Sequence, residues 1–265
     1  FHAYSAIPDA QESRGLGDVY KRQPHMMPEQ DLFEEEVRKL GINTTSTVIV
    51  YDDVGLYATP RAGWMFRAMG HDRVAVLDGG LPKWLSENRI VSEKFSEGSI
   101  GNFVAKLRKD LFCDFQMVLE GLDSPNCTVL DARSERRFKG LDPEPRPGVR
   151  SGHMPNAKNL PFPEVLNGGL LKSVSELQEI FINLSLDHQD SIITSCGSGI
   201  TACILTLAGN KGWLQIVGIY GPLPKAGIEA RINLWSKIGK YILPKEASLC
   251  WVAGDFNLIL EKRPM

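Results

Sequence analysis

Cys196 is the residue of this sequence best placed to do chemistry, because small residues follow it directly in Cys196-Gly-Ser-Gly-Ile-Thr201. The two glycines permit a tight loop, and a helix is predicted to begin near Ile200. Backbone N–H groups of such a loop can surround a sulfur atom, and the positive end of the helix dipole reinforces them. Both favour the thiolate, which is the nucleophilic form of cysteine. Composition alone leaves the alternative open, a buried structural cysteine at the end of a core strand.

The cysteines as a set predict neither a disulfide framework nor a zinc site. Their number is odd and no two of them form a C-x-x-C pair. We therefore expect mostly buried thiols in a reducing compartment, cytoplasmic by default with an organellar one left open, and we expect no metal and no cofactor. The five are Cys113, Cys127, Cys196, Cys203 and Cys250.

Composition excludes several classes of protein. The chain has 265 residues, of which 43% are hydrophobic and 23% charged, with a formal net charge of −2. Such a chain can bury enough apolar surface to fold, as one large domain or two modest ones. A charge so near zero argues against a dedicated nucleic-acid binder. No apolar run reaches the roughly 20 residues that a membrane helix needs, so we expect no membrane association.

Hydrophobic periodicity predicts alternating strands and helices, which is typical of an α/β fold with parallel sheets flanked by helices. The two halves of the chain repeat this order, so a duplicated domain is expected. Strands are predicted at Val48–Tyr51, Val74–Leu77, Thr128–Leu130, Ser191–Thr194 and Leu214–Tyr220, with a last one beginning at Trp251. Helices are predicted at Gln30–Leu40, Thr59–Met69, Leu81–Glu87, Phe115–Leu122, Ser173–Leu184, Ile200–Ala208 and Ile228–Ile238.

Changes in composition divide the chain into five segments. Residues 1–23 are set apart as non-native, because Glu12–Gln23 resembles the translation of a sequencing adapter. Residues 24–90 form an incomplete N-terminal domain, 91–112 a polar linker, 113–212 the catalytic domain and 213–265 a tail. The polar stretch 133–152 is predicted to be a long functional loop within the catalytic domain.

Several motifs in the expected order resemble the rhodanese superfamily in its 3-mercaptopyruvate sulfurtransferase form, over about residues 24–212. The resemblance implies tandem rhodanese-like domains, of which the first is non-catalytic and N-terminally truncated. The motifs are Cys196–Thr201, Arg137–Arg146 with Ser151–Ala157, and, in the first domain, Gly55–Arg61 with Trp64–Arg67 and Leu77–Leu81.

This resemblance implies a sulfurtransferase that moves sulfur from 3-mercaptopyruvate, or thiosulfate, through a persulfide on Cys196. The implied acceptor is cyanide or a thiol, such as thioredoxin or a low-molecular-weight thiol. An alternative stays open, in which a truncated or chimeric chain only binds small anions at the Cys196 loop and does not turn over.

Roles for individual residues follow from the same resemblance. Arg137 and Arg146 would clamp the carboxylate and keto group of the donor, for which planar guanidinium groups are suited. Ser198 and His25 would belong to a relay that protonates the departing enolate, and His153 would be structural. The remaining loop residues implied in donor binding are Gly197, Gly199, Ile200 and Thr201.

The residues after Cys196 also predict donor preference. Because Gly197, Ser198 and Ile200 are neutral, a singly charged keto acid fits the loop better than doubly charged thiosulfate. The loop ends without the arginine that related phosphatases need, so phosphatase activity is not expected.

The tail resembles an interior piece of a retrotransposon-type endonuclease domain, at Ile219–Pro222 and Trp251–Asn257. Asp255 and Asn257 match residues that position phosphate and water there, but the metal-binding glutamate has no counterpart. We therefore expect a chimeric, inactive tail without functional nucleic-acid binding. A nuclease-like fragment is a third hypothesis. The truncated domains are expected to expose sheet edges, which favours aggregation.

Overall fold

The computed structural model describes residues 27–91, 99–111, 113, 115–145, 151–186, 190–212, 215–218 and 249–253. The chain divides into two compact units. Of the described residues, the first unit contains those up to Arg108 together with Gly168–Leu170 and residues 249–253, and the second contains the others. The helices are α1 (Gln30–Lys39), α2 (Thr59–Ala68), α3 (Gly80–Ser86), α4 (Phe115–Asp123), α5 (Glu135–Phe138), α6 (Val174–Asn183) and α7 (Ile200–Lys211). The strands are β1 (Thr47–Tyr51), β2 (Val74–Val76), β3 (Cys127–Asp131), β4 (Lys158–Asn159), β5 (Leu166–Asn167), β6 (Leu170–Leu171), β7 (Ser191–Ser195), β8 (Gln215–Gly218) and β9 (Leu249–Ala253).

The core of the first unit forms around three phenylalanine rings. Phe33 on α1, Phe66 on α2 and Phe103 are at most 1% exposed, and their rings meet edge to face at centroid distances of 5.3 to 6.1 Å. This geometry brings the positive edge of each ring to the negative face of another. Pro60 lies in the first turn of α2, where its missing N–H costs no intrahelical hydrogen bond.

The sheet of the first unit has the order β2-β1-β9, and both pairs are parallel. Strand β9 pairs with β1 over five residues, from Thr47 opposite Leu249 to Tyr51 opposite Ala253. The tail thus supplies a strand beside β1, a pairing that the sequence did not predict, and β2 and β9 are the two outer strands of this sheet. The physical reason for the pairing is that Val48–Tyr51 are buried, and buried backbone N–H and C=O groups need partners.

The second unit has a four-stranded parallel sheet in the order β4-β3-β7-β8. Helix α6 begins with a capping box, in which the side chains of Ser173 and Glu176 each accept from the other's backbone N–H. The apolar side chains between sheet and helices include several at most 1% exposed: Leu130, Leu160, Leu177, Ile192 and Ile204. They form the core that fixes the end of β7.

The two sheets repeat one arrangement. Strand β1 has β9 on one side and β2 on the other, as β7 has β3 and β8. In the first unit, β9 therefore has the same position beside β1 that β3 has beside β7 in the second unit. The predicted α/β class with duplicated parallel sheets is confirmed.

A short helix and several two-residue strands lie where the sequence predicted no element. Helix α5 lies inside the predicted loop 133–152, and β5 and β6 form a hairpin around Gly168 and Gly169. Both glycines have positive φ, 58° and 84°, a conformation that disfavours other residues. In the part of the chain that the structure describes, no helix is long and apolar enough to cross a membrane.

Candidate active site

Cys196 lies directly after β7, at the point where the central strand of the second sheet gives way to α7. Its partly buried Sγ accepts hydrogen bonds from the backbone N–H groups of Gly199, at 2.9 Å, and of Ser198, at 3.4 Å. Gly199 is the N-cap of α7, so the positive end of this helix dipole faces the sulfur. The arrangement can hold a negative charge on sulfur.

Two glycines shape this loop for different reasons. Gly199 has φ +81°, a left-handed conformation that a side chain would strain. Gly197 has no such conformation, but a Cβ there would lie 3.0 Å from Nη2 of Arg137. The guanidinium of Arg137 therefore lies against the backbone of the Cys196 loop.

The first unit carries a carboxylate at the corresponding position. Asp52 follows β1 as Cys196 follows β7, and it is 5% exposed. Its Oδ2 accepts from the backbone N–H groups of Tyr57, Ala58 and Thr59 at 2.8 to 3.0 Å, and from the hydroxyl of Thr59. The backbone donors of this turn are thus satisfied by a fixed anion, and this position has no nucleophilic sulfur.

Arg137 is positioned by α5, the helix that sequence reasoning missed. Ser134 caps this helix, and its side chain accepts from the backbone N–H of Arg137. The ring of His153 stacks on the ring of Phe138 at a centroid distance of 3.8 Å. Nδ1 of His153 also lies 2.7 Å from the backbone carbonyl oxygen of Phe138. His153 therefore ties the far end of the loop to α5, a structural position.

Glu144 holds Arg137 from the other side, and sequence reasoning did not single it out. One carboxylate oxygen lies 2.5 Å from Nη2 of Arg137, and the other accepts from Nη1 of Arg133 at 2.8 Å. Arg133 in turn binds Asp131 at the end of β3 through Nε and Nη2, at 2.6 to 3.0 Å. The side chains of Asp131 and Glu144 are 2% and 5% exposed.

The charges in this chain of four side chains alternate in sign from the sheet to the Cys196 loop. The hydrogen bond from Arg137 lowers the pKa of Glu144, and the hydrogen bond to Asp131 raises that of Arg133. Both shifts favour the charged forms of Glu144 and Arg133. The signal in the sequence was the run of charges in a long Pro-rich loop, but spacing does not show which pairs form.

The predicted site residues divide into two groups. Five of them lie together as described above: Cys196, Gly197, Ser198, Gly199 and Arg137. Ile200 is buried at the first turn of α7, and Thr201 follows it partly buried. Four other residues that the sequence singled out lie outside the described residues: His25, Arg146, Asp255 and Asn257.

Comparison with known proteins decides the family. The family described as Rhodanese-like domain matches residues 1–87 and 114–220. The chain belongs to this rhodanese-like family. The first matched range includes residues 1–23, and their predicted non-native origin stays a prediction, as do the predicted domain boundaries.

Known relatives of this rhodanese-like chain include sulfurtransferases. It is 41% identical to a 3-mercaptopyruvate sulfurtransferase of Rattus norvegicus, over 69% of this chain and 63% of the relative. It is 37% identical to one of Escherichia coli, over 73% and 69%. The crystal structure of SseA from Escherichia coli, described as a 3-mercaptopyruvate sulfotransferase with the rhodanese fold, aligns with a TM-score of 0.68 at 32% identity. That alignment covers 79% of each chain.

The aligned region is shorter than the relatives themselves. The chain spans 63% of the length of the rat protein and 60% of a mitochondrial thiosulfate/3-mercaptopyruvate sulfurtransferase of Arabidopsis thaliana, to which it is 35% identical. The tandem rhodanese-like fold that the sequence predicted is confirmed by these matches.

Proposed function

We propose that this chain is a sulfurtransferase that moves sulfur from 3-mercaptopyruvate, or thiosulfate, to a thiol or cyanide through a persulfide on Cys196. The observation that carries the proposal is the Cys196 sulfur, which accepts two backbone N–H bonds beside the guanidinium of Arg137. The names of the relatives support the same chemistry.

The reaction proceeds in two displacements on sulfur. The Cys196 thiolate bonds to the donor sulfur, and the carbon–sulfur bond of 3-mercaptopyruvate breaks with its electron pair left on carbon. The resulting enolate takes a proton and leaves as pyruvate. An acceptor thiolate then attacks the outer sulfur, and the electron pair of the S–S bond returns to Cys196.

The surrounding groups supply binding and charge stabilisation. Arg137, together with Arg146, binds the carboxylate and keto oxygen of the donor, and the N–H groups of Ser198 and Gly199 hold the anionic persulfide. Ser198 and His25 are proposed to protonate the enolate. Thioredoxin or a small thiol is the proposed acceptor, and the proposed setting is a reducing, cytoplasmic one.

The tail is assigned no part in this chemistry. We keep its resemblance to an endonuclease fragment as a proposal about the origin of residues 213–265. Of its described residues, β8 pairs with β7 in the second unit and β9 pairs with β1 in the first.

Steady-state release of pyruvate from 3-mercaptopyruvate, with a thiol acceptor present, tests the proposal. We expect turnover by the full chain and its loss in Cys196→Ser. The matched control is Cys203→Ser, because Cys203 is buried inside α7, seven residues beyond Cys196, and should leave turnover within about twofold. Absence of turnover in folded full-length protein would favour the chain that only binds anions.

A further inference from the structure

The carboxylate of Glu144 is shared between two arginines and nearly excluded from water. It accepts from Nη2 and Nε of Arg137 at 2.5 and 3.3 Å, and from Nη1 of Arg133 at 2.8 Å. Its side chain is 5% exposed, whereas that of Arg137 is 26% exposed. Arg137 thus lies at the open end of a buried ionic chain, between Glu144 and the Cys196 loop.

The net charge of this ionic chain is zero. Asp131 and Glu144 carry two negative charges, and Arg133 and Arg137 carry two positive ones. Glu144 also occupies two of the five N–H donors of the Arg137 guanidinium, so three are left for an incoming anion. A donor molecule therefore meets an arginine whose geometry is fixed and whose charge is largely balanced.

From this arrangement we propose that Glu144 is a positioning residue that sets donor preference. It holds Arg137 against Gly197 and cancels one positive charge, so that the site favours a singly charged keto acid over doubly charged thiosulfate. The inference rests on the proposed function, and it adds a cause outside the neutral residues that follow Cys196.

Elementary electrostatics gives the direction of the effect. Removal of one fixed negative charge lowers the energy of a dianion twice as much as that of a monoanion at the same distance. Loss of the Glu144 charge should therefore raise the efficiency for thiosulfate relative to 3-mercaptopyruvate by at least about tenfold, which is the ratio that an effective dielectric constant near 20 gives at a charge separation of about 12 Å. A purely structural role would lower both efficiencies together.

The experiment compares kcat/KM for the two donors in wild type, Glu144→Gln and Glu144→Asp. Glu144→Gln is expected to shift the ratio towards thiosulfate by at least about tenfold. Glu144→Asp keeps the charge and should keep the wild-type ratio. The matched control is Asp142→Asn, which removes a charge from the same loop, where Asp142 pairs with the exposed Arg136. Its ratio should change by less than about twofold.

Three results would overturn the proposal: an unchanged ratio in Glu144→Gln, an equal fall for both donors, or the same shift in Asp142→Asn. A second readout keeps it testable if the wild type does not turn over. Sulfate and pyruvate are then compared for their ability to protect Cys196 from iodoacetamide. In Glu144→Gln, sulfate should protect at a lower concentration relative to pyruvate than it does in the wild type. Inactive wild type with this shift would reject the proposed function alone, and an absent shift would reject the role of Glu144.

Discussion

Replacement of Gly199 by alanine should reduce the reactivity of Cys196 through the backbone alone. Gly199 has φ +81° and donates its N–H to Sγ at 2.9 Å. Alanine in this conformation costs about 1–2 kcal/mol relative to glycine. If the loop relieves this strain by rotation, the sulfur loses the shorter of its two N–H bonds. A hydrogen bond to a charged acceptor contributes about 1.5–3 kcal/mol.

These free energies correspond to a slower alkylation of Cys196. Since each 1.4 kcal/mol corresponds to about tenfold, alkylation of Cys196 by iodoacetamide should slow by about 10- to 100-fold in Gly199→Ala. The assay follows modification of Cys196 by peptide mass, which separates it from the other thiols. Iodoacetamide is uncharged, so it does not need Arg137 for binding.

Gly197→Ala is the matched control in the same loop. A Cβ there meets only the end of the flexible Arg137 side chain, at 3.0 Å, and the backbone is not left-handed. Alkylation should remain within about threefold of wild type, whereas kcat/KM for 3-mercaptopyruvate should fall by about 3- to 10-fold as the guanidinium is displaced. Equal alkylation rates in the two variants would refute the assignment of the Gly199 N–H as a stabilising donor.

Three further predictions concern stability. Asp52→Ala leaves backbone N–H groups at the start of α2 without their acceptor, so urea denaturation should show a loss of about 2–5 kcal/mol, against less than ~0.5 kcal/mol for the exposed Asp53→Ala. Folding lowers the pKa of Glu144, so its ion pairs stabilise the fold fully above pH 4.5, the ordinary glutamate value. This stabilisation is lost as the pH falls through the lower pKa of the folded state. The difference in Tm between wild type and Glu144→Gln should therefore shrink only below pH 4.5. Removal of residues 249–265 deletes the five residue pairs between β9 and β1 and should destabilise the first unit by about 3–5 kcal/mol. Removal of residues 254–265 leaves these pairs in place and should not destabilise it. Similar melting temperatures of the two truncated proteins would contradict the pairing of β9 with β1.

Much of the fold could be predicted because hydrophobic periodicity is a local property. The predicted helices 30–40 and 59–69 match α1 and α2 to within one residue at each end, and the predicted strand 191–194 matches β7. Helix α5 was missed because a single capped turn of Glu135–Phe138 has no apolar period. The pairing of β9 with β1 was missed because strand pairing over 200 residues apart leaves no local signal.

The candidate site could be predicted only in part, for a related reason. Cys196 and its glycines are adjacent in the sequence, so spacing alone indicates a loop that can hold an anion. Glu144 and Arg133 matter through their distances to Arg137, which tertiary packing decides. Among four arginines between residues 133 and 146, sequence alone does not show which ones face solvent.

The most direct test of the central claim is the intact mass of the full chain after exposure to 3-mercaptopyruvate and removal of the excess donor. We predict a gain of one sulfur atom, mapped to Cys196, absent in Cys196→Ser and reversed by an acceptor thiol with release of the sulfur. Unchanged mass in folded protein, or sulfur mapped to another cysteine, would contradict the account.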